Sequence, residues 1–452
     1  MIYNNFNKIN KRQYLKTYYS EDIEKFSKLS KDFNPIHLDK KNETRLIFGK
    51  RIVHGMLVLV DILEKISLKK ISHKVNSINC NFLKPIFLDF KIYYRMKNYK
   101  DCTFIEIISD NQTCVYFELS SKYFKLDKKM KSNLSFKLKS NLNSKKYLNI
   151  SKELGSHTLR LILFLSYLVG MKFPGKYSIF SNLKFSIEKK YQNIKMINFL
   201  LKKNKKFNFY EGFGKNFPIY FDAIKHPKFS EQTSFKTLKS IINFKKAKKL
   251  DKKSRCLVIG GSRGIGELTL KILLLLGAQV NVTYNKNYEN LNKIKKETQT
   301  LSHKLKMQKY DIFNDNVNFK NYKYIFYFPT PKIKTSEKKF NKELFQNYNL
   351  FYNIKFIKFC RKLSKNNNAK VFFPSTIFLN SDIEKKKFSE YCKAKKLAEE
   401  NILKFNKNNN NLKIYSYRIE QQYTDQNLSF INNNLKRKFD TSFFQTILKF
   451  CS

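Results

Sequence analysis

Residues 31–42 read KDFNPIHLDKKN, and residues 48–66 read FGKRIVHGMLVLVDILEKI. Asp32, Asn34, Pro35 and His37 form a D-x-N-P-x-H pattern, and His54, Gly55 and Met56 open an apolar segment long enough for a buried helix. A carboxylate and an imidazole this close on a loop stiffened by proline can face one small cavity, which is what proton transfer needs. Gly55 through Ile66 carries apolar residues at helical spacing. Upstream, Ser20 with Glu21 and Asp22 is expected to start a short helix through Lys28. Downstream, alternation and β-branched or aromatic residues predict strands over 76–83, 87–96, 103–109 and 113–126.

The D-x-N-P-x-H pattern resembles the MaoC-like hydratases, (R)-specific enoyl-thioester hydratases of the hotdog fold. The order of elements, helix first and then an antiparallel meander wrapped around it, is what that fold requires. Pro85 resembles the family's turn between its second and third strands. The resemblance implies that Asp32 acts as base on a water and that His37 holds the water and shares the proton transfers. Water adds to the β-carbon of a trans-2-enoyl thioester while a proton reaches the α-carbon. An enolate-like charge then develops on the thioester oxygen, and the N–H of Gly55 at the helix start would receive it. Asn34 is expected to hold the loop by a side-chain hydrogen bond.

The chain has 452 residues, too many for one ordinary core. Its 90 Lys and Arg against 35 Asp and Glu give a net charge of +55. The lysines run from end to end, interleaved with asparagine and without a basic tail, which reads as a solvated surface rather than a nucleic-acid site. Such a surface still favours anionic partners, such as the phosphates of coenzyme A or an acidic acyl carrier protein. The seven cysteines are scattered without a C-x-x-C pair, so no disulfide framework and no metal site are expected, and a reducing cytoplasm fits. The opening residues MIYNNFNKINKRQY contain no apolar run and do not read as a signal peptide. The most apolar segment, 159–170, contains Arg160 and is expected to be too short for a membrane span.

Residues 1–128 are thus expected to form the hydratase domain. Within 129–250 a polar stretch, 129–146, is followed by an apolar helix over 159–169 and then, after Pro174 and Gly175, by alternating strands. Helix and meander repeat the order of the first domain without a second D-x-N-P-x-H. A degenerate second hotdog is expected, making a double hotdog whose second half completes the sheet and walls the acyl tunnel; an unrelated α+β spacer is the other reading.

The stretch SRCLVIGGSRGIGELTLKILLLLGAQVNVTY, residues 254–284, reads as strand, glycine-rich turn, helix and strand. Gly260, Gly264 and Gly266 let backbone approach a pyrophosphate at the helix N-terminus. In that context the motif resembles the short-chain dehydrogenase/reductase family, placing an α/β Rossmann-type doubly wound domain over 251–452. The resemblance implies cofactor contacts from Gly260, Ser262, Arg263, Gly264, Ile265 and Gly266, with Asp311 near the adenine. It implies catalytic roles for Asn349, Ser375, Tyr391 and Lys395. Tyr391 and Lys395 lie at i and i+4, so they share a helix face, and the ammonium is expected to lower the phenol's pKa. Ser375 is expected to hold the substrate oxygen. The second strand ends in TYNKN with no acidic residue for a ribose hydroxyl, while Arg263 and Lys286 could meet a 2′-phosphate, so NADP(H) is preferred over NAD(H). Departures stand beside these matches: Ile259 replaces the usual threonine, FYFPTPK replaces N-N-A-G, the gap from Ser375 to Tyr391 is longer than usual, and no P-G follows the sixth strand.

The expectation is a multidomain, bifunctional enzyme on acyl-CoA or acyl-carrier-protein thioesters, a hydratase-dehydratase joined to an NADP(H)-dependent 3-ketoacyl reductase. A homodimer and a cytoplasmic location go with it, and no membrane partner. Two alternatives stand: a hydratase whose reductase fold is only a scaffold, and a basic nucleic-acid-binding protein.

Overall fold

A computed structural model describes residues 11–452 apart from 67–70, 72, 127–132, 139–146, 188–194, 205–206, 229–231, 242–249, 252–253, 335, 337–339, 423 and 425–440. The chain divides into two compact units, Met1–Lys228 and Phe229–Leu428 with Asn434–Ser452.

The first unit is built on one ten-stranded sheet. Its strands are β1 (Gln13–Thr17), β2 (Ser77–Phe82), β3 (Lys91–Asn98), β4 (Cys102–Ser109), β5 (Gln112–Ser120), β6 (Leu134–Lys137), β7 (Ser178–Ser186), β8 (Met196–Asn204), β9 (Phe209–Gly214) and β10 (Ile219–Lys225). They lie in the order β1-β3-β4-β5-β2-β7-β10-β9-β8-β6. The order is mirrored about the β2–β7 seam: each strand of the first half has a counterpart at the matching place in the second. The seam is an antiparallel pair in which Asn81 faces Asn182 and Cys80 faces Leu183.

A helix crosses the inner face of each half. Gly55–Lys65 buries Met56, Leu57, Val58, Leu59, Val60, Ile62 and Leu63, so it is apolar almost all round, as a fully enclosed helix must be. The second helix, Ser156–Tyr167, is flanked by π-helical turns at Ser151–Gly155 and Leu168–Lys172. The continuous run Leu148–Lys172 is longer than the sequence led one to expect. By length and composition its 25 residues could cross a membrane, yet 67% of its most apolar window is buried inside the protein, as in a core helix. Side chains of both halves, among them Phe117, Leu163, Phe185 and Phe221, form one core.

Strand β7 contains a bulge. Asn182 pairs with Asp222 but Phe180 pairs with Ala223, leaving Ser181 as the extra residue. Side chains alternate faces along a strand, so a bulge reverses which residues point inward beyond it. Phe185 and Leu183 face the core, and past the bulge it is Phe180 and the buried Ser178 that turn inward, not Ile179.

The second unit holds β11 (Arg255–Ile259), β12 (Gln279–Tyr284), β13 (Leu305–Lys309), β14 (Tyr324–Tyr327), β15 (Ala369–Thr376) and β16 (Leu412–Ile419). All neighbouring pairs are parallel, and the order is β13-β12-β11-β14-β15-β16. Counted within the unit this is 3-2-1-4-5-6, the doubly wound order of dinucleotide-binding folds. Separate cores lie on the two sheet faces, one under the helix Gly264–Leu275 and one under the helix Ser389–Lys407.

Candidate active site

The helix Ser20–Ser30 stops at Lys31, whose φ of 62° is left-handed, and the chain turns straight into Asp32. Pro35 begins the short helical turn Pro35–Leu38, capped by the Asn34 side chain, which accepts from the Ile36 N–H. Asn34 also crosses the seam: its Nδ2 donates to the Ser178 carbonyl at 2.8 Å and its Oδ1 accepts from the Tyr177 N–H at 2.8 Å. Asn34 therefore fixes the loop to the second half, a larger role than holding its own turn.

Asp32 is buried at 3% exposure. Its Oδ2 accepts a 2.7 Å hydrogen bond from Ser166 Oγ, and its Oδ1 accepts one from the Asn34 N–H at 3.2 Å. Burial pushes the carboxyl up to about 7, and the bonds from Ser166 and Asn34 oppose that rise. His37 Nδ1 lies 2.8 Å from the Ile52 carbonyl, so Nδ1 carries the proton and Nε2 is left as an acceptor. Burial lowers His37 to about 4, so it is neutral at physiological pH. His54 stacks on His37 with ring centroids 3.6 Å apart, and its Nε2 lies 3.9 Å from Asp32 Oδ2. Burial and the neighbouring His37 also hold His54 neutral.

Ligand-capable atoms of Asp32, His37 and His54 all lie within 4.8 Å of one another. A water molecule placed among them would reach base and acceptor together. The trio is poorly arranged for a metal ion: the two rings are 26° from parallel, so their in-plane lone pairs do not converge on a tetrahedral centre.

Gly55 is the first residue of its helix, where the backbone N–H has no intrahelical acceptor. A side chain there would strike Phe82, whose ring sits 2.4 Å from where a Cβ would be. Gly170, from the π-turn of the second half, is packed against the carboxylate itself, with a Cβ position 2.1 Å from Asp32 Oδ1. Asp32, His37, His54, Gly55, Ser166 and Gly170 all border one cavity of about 300 Å³. Sequence reasoning named three of these. His54 was visible in the motif without a role, and Ser166 and Gly170 carried no local signal.

In the second unit the glycine-rich turn is formed as expected. Gly260 and Gly264 have φ of 77° and 59°, and a Cβ on Gly266 would lie 2.4 Å from the Gly260 carbonyl, so helix and turn pack at backbone distance. Arg263 is the N-cap position of the helix that begins at Gly264 and continues through Ile265 and Gly266. Ser262 is buried and its carbonyl accepts from Asn290, while Lys286 is exposed. Asp311 is engaged in its own turn, accepting from the Phe313 N–H at 2.9 Å and from Asn314 Nδ2 at 3.0 Å. Asn349 accepts from Asn353 at 3.0 Å, and Asn353 accepts from Asn401 of the helix Ser389–Lys407.

The expected reductase group is rearranged. Ser375 Oγ donates to Glu399 at 2.5 Å, and Glu399 is held by Arg418 through a two-pronged ion pair at 2.7 and 3.1 Å. The hydroxyl hydrogen-bonded to Tyr391 belongs to Thr376 instead. Lys395 donates to the Pro374 carbonyl at 2.5 Å and lies 3.8 Å from the centre of the Tyr352 ring. Burial lowers Lys395 to about 7 and raises Tyr391 above its ordinary value, so the expected depression of the phenol by the ammonium is absent. The reason is geometric: the ammonium is spent on a carbonyl and an aromatic face.

Residues 6–110 match the family model described as MaoC like domain. A stretch of 39 residues is 46% identical to the mitochondrial 3-hydroxyacyl-[acyl-carrier-protein] dehydratase of Arabidopsis thaliana, covering 9% of this chain and 24% of that protein. The chain thus spans about a quarter of the length of that curated relative. Among solved structures, a short-chain dehydrogenase from Shigella flexneri is 13% identical with a TM-score of 0.37, covering 44% of this chain and 91% of that one. A carbonyl reductase from Pseudomonas aeruginosa in complex with NADP is 15% identical with a TM-score of 0.30, covering 36% and 81%. With the motif, the enclosed helix and the family match in agreement, residues 6–110 carry a MaoC-like dehydratase domain.

Proposed function

We propose that the first unit is a double hotdog that hydrates trans-2-enoyl thioesters to (R)-3-hydroxyacyl thioesters and runs the reverse dehydration. The observation that carries this reading is the buried Asp32 carboxylate grouped with the His37 and His54 imidazoles, a ligand-capable atom of each within 4.8 Å of the others, at the helix start where the Gly55 N–H has no intrahelical acceptor. In the hydration direction Asp32 takes a proton from a water that His37 Nε2 orients, and the oxygen attacks the β-carbon. Charge moves to the thioester oxygen, where the Gly55 N–H and the positive end of its helix receive it. The proton held by Asp32 then passes to the α-carbon. His54 backs His37 by stacking, and Ser166 keeps the carboxylate aimed. The mirrored strand order and the Ser166 and Asn34 contacts across the seam support the double hotdog, whose second half runs from 129 to 228 rather than to 250, since the chain from Phe229 belongs to the second unit. The substrate is an acyl-CoA or acyl-carrier-protein thioester, the protein works in the reducing cytoplasm as its seven free thiols favour, and it pairs as a homodimer.

The test is loss of the enoyl absorbance of crotonyl-CoA on adding the protein, run beside Asp32→Asn. We expect turnover that falls by at least about a hundredfold in the variant. Equal rates in both proteins would refute the assignment.

For the second unit we propose NADP(H)-dependent reduction of the 3-ketoacyl thioester, which yields the hydroxyacyl species the first unit consumes. Its support is the 3-2-1-4-5-6 sheet with the glycine turn at the helix N-terminus, and Arg263 and Lys286 as the cations for a 2′-phosphate. Bound cofactor would supply the hydride, and Tyr391 the proton for the carbonyl oxygen. The occupied state of Ser375 and Lys395 favours a second reading, in which this unit binds nucleotide without turning over ketoacyl substrate.

A further inference from the structure

The cavity that holds Asp32 is apolar over most of its wall, and on the sheet side that wall includes two phenylalanines beside Val115, Ile179 and Ile224. Phe82 ends β2 and Phe180 lies on β7, the two strands of the seam, and their rings stand 5.9 Å apart. Behind them are the deep cores of the two halves: Phe82 packs edge-on to Phe117, and Phe180 packs edge-on to Phe221. Both of those inner rings are fully buried, whereas Phe82 and Phe180 keep part of their surface toward the cavity. Phe180 is there only because the bulge at Ser181 reverses the facing of β7, and it sits directly across from the small Ala223. Bulges next to active sites commonly re-aim a side chain in this way.

We propose that Phe82 and Phe180 set the acyl-chain length, confining the site to short enoyl thioesters. The volume supports this: about 300 Å³ lies at the small end of ligand cavities, which span roughly 300–1,000 Å³. A longer chain meets the Phe180 ring, and behind that ring the packed Phe221.

The proposal rests on the hydratase reading, and the experiment separates the two. Trans-2-enoyl-CoA substrates of four, eight and twelve carbons are assayed with the full chain and with Phe180→Ala, Phe180→Leu and Phe82→Leu. We expect the wild type to favour the four- and eight-carbon substrates over the twelve-carbon one by about tenfold or more in kcat/KM, as packing against even one methylene discriminates. Phe180→Ala and Phe180→Leu should raise the twelve-to-four-carbon ratio by about tenfold. The ratio is independent of how much variant folds, and the leucine variants guard against a collapsed cavity. A wild-type profile flat to twelve carbons, or ratios unmoved in all three variants, overturns the proposal and leaves the hydratase standing. No turnover of any substrate by the wild type overturns both.

Discussion

On the proposed mechanism Asp32 sets the pH dependence of turnover. Its carboxyl titrates at about 7 because it is buried, while His37, lowered to about 4, does not change charge near neutrality. Hydration needs the ionised carboxylate, so its rate should rise with pH through about 7 and then level off. Dehydration starts from the same ionised carboxylate, which takes the α-proton and passes it to the departing hydroxyl, so its rate should rise through the same window. Ser166 stabilises the anion by donating to Oδ2, so Ser166→Ala should move both rises to higher pH, which rate profiles from pH 5 to 9 would reveal. A profile unmoved by the substitution would mean that Ser166 does not act on Asp32. At this scale the sequence was half legible. Asp32, Asn34 and His37 lie within one turn of chain and announce themselves by spacing. Ser166 meets Asp32 across 134 positions, a pairing that only the fold creates.

Among the elements, the π-turn Leu168–Lys172 has the most direct effect on chemistry, because it delivers Gly170 to the carboxylate. Gly170→Ala would force its methyl into Asp32 Oδ1. We expect hydratase activity to drop by at least about a hundredfold, with the circular dichroism spectrum retained; an active variant would show that the carboxylate can move aside. The apolar helices were readable from their 3.6-residue period, and the meander strands from alternation. Strand β1 was missed because its residues, QYLKT, are short and mixed in polarity and pair on one side only, with β3. The bulge in β7 escaped for another reason: SIFSNLKFS reads as a strand in either register, and only pairing with β10 selects the face of Phe180.

For the whole molecule, variants in the second unit decide between reductase chemistry and nucleotide binding alone. If Tyr391 works with Thr376 as its hydroxyl partner, Tyr391→Phe and Thr376→Val should each lower NADPH-dependent reduction of acetoacetyl-CoA by about tenfold or more. Ser375→Ala should then cost less, because that hydroxyl is tied to Glu399. NADPH binding followed by fluorescence with no reduction in any protein would establish the binding-only reading. The doubly wound order was visible in the glycine turn and its flanking strands. The rearranged serine and lysine were not, because a Y-x-x-x-K spacing reports a shared helix face and says nothing about what already occupies it.

The mirrored sheet of the first unit carries one D-x-N-P-x-H loop. In a dimer of identical chains each substitution is made twice, and any residue must serve at both symmetric places. Here the two halves are written separately in one chain, so the helix that offers Ser166 and Gly170 need not also carry a base. Joining the halves frees each to specialise, and on the proposed reading one working site is what that division of labour leaves.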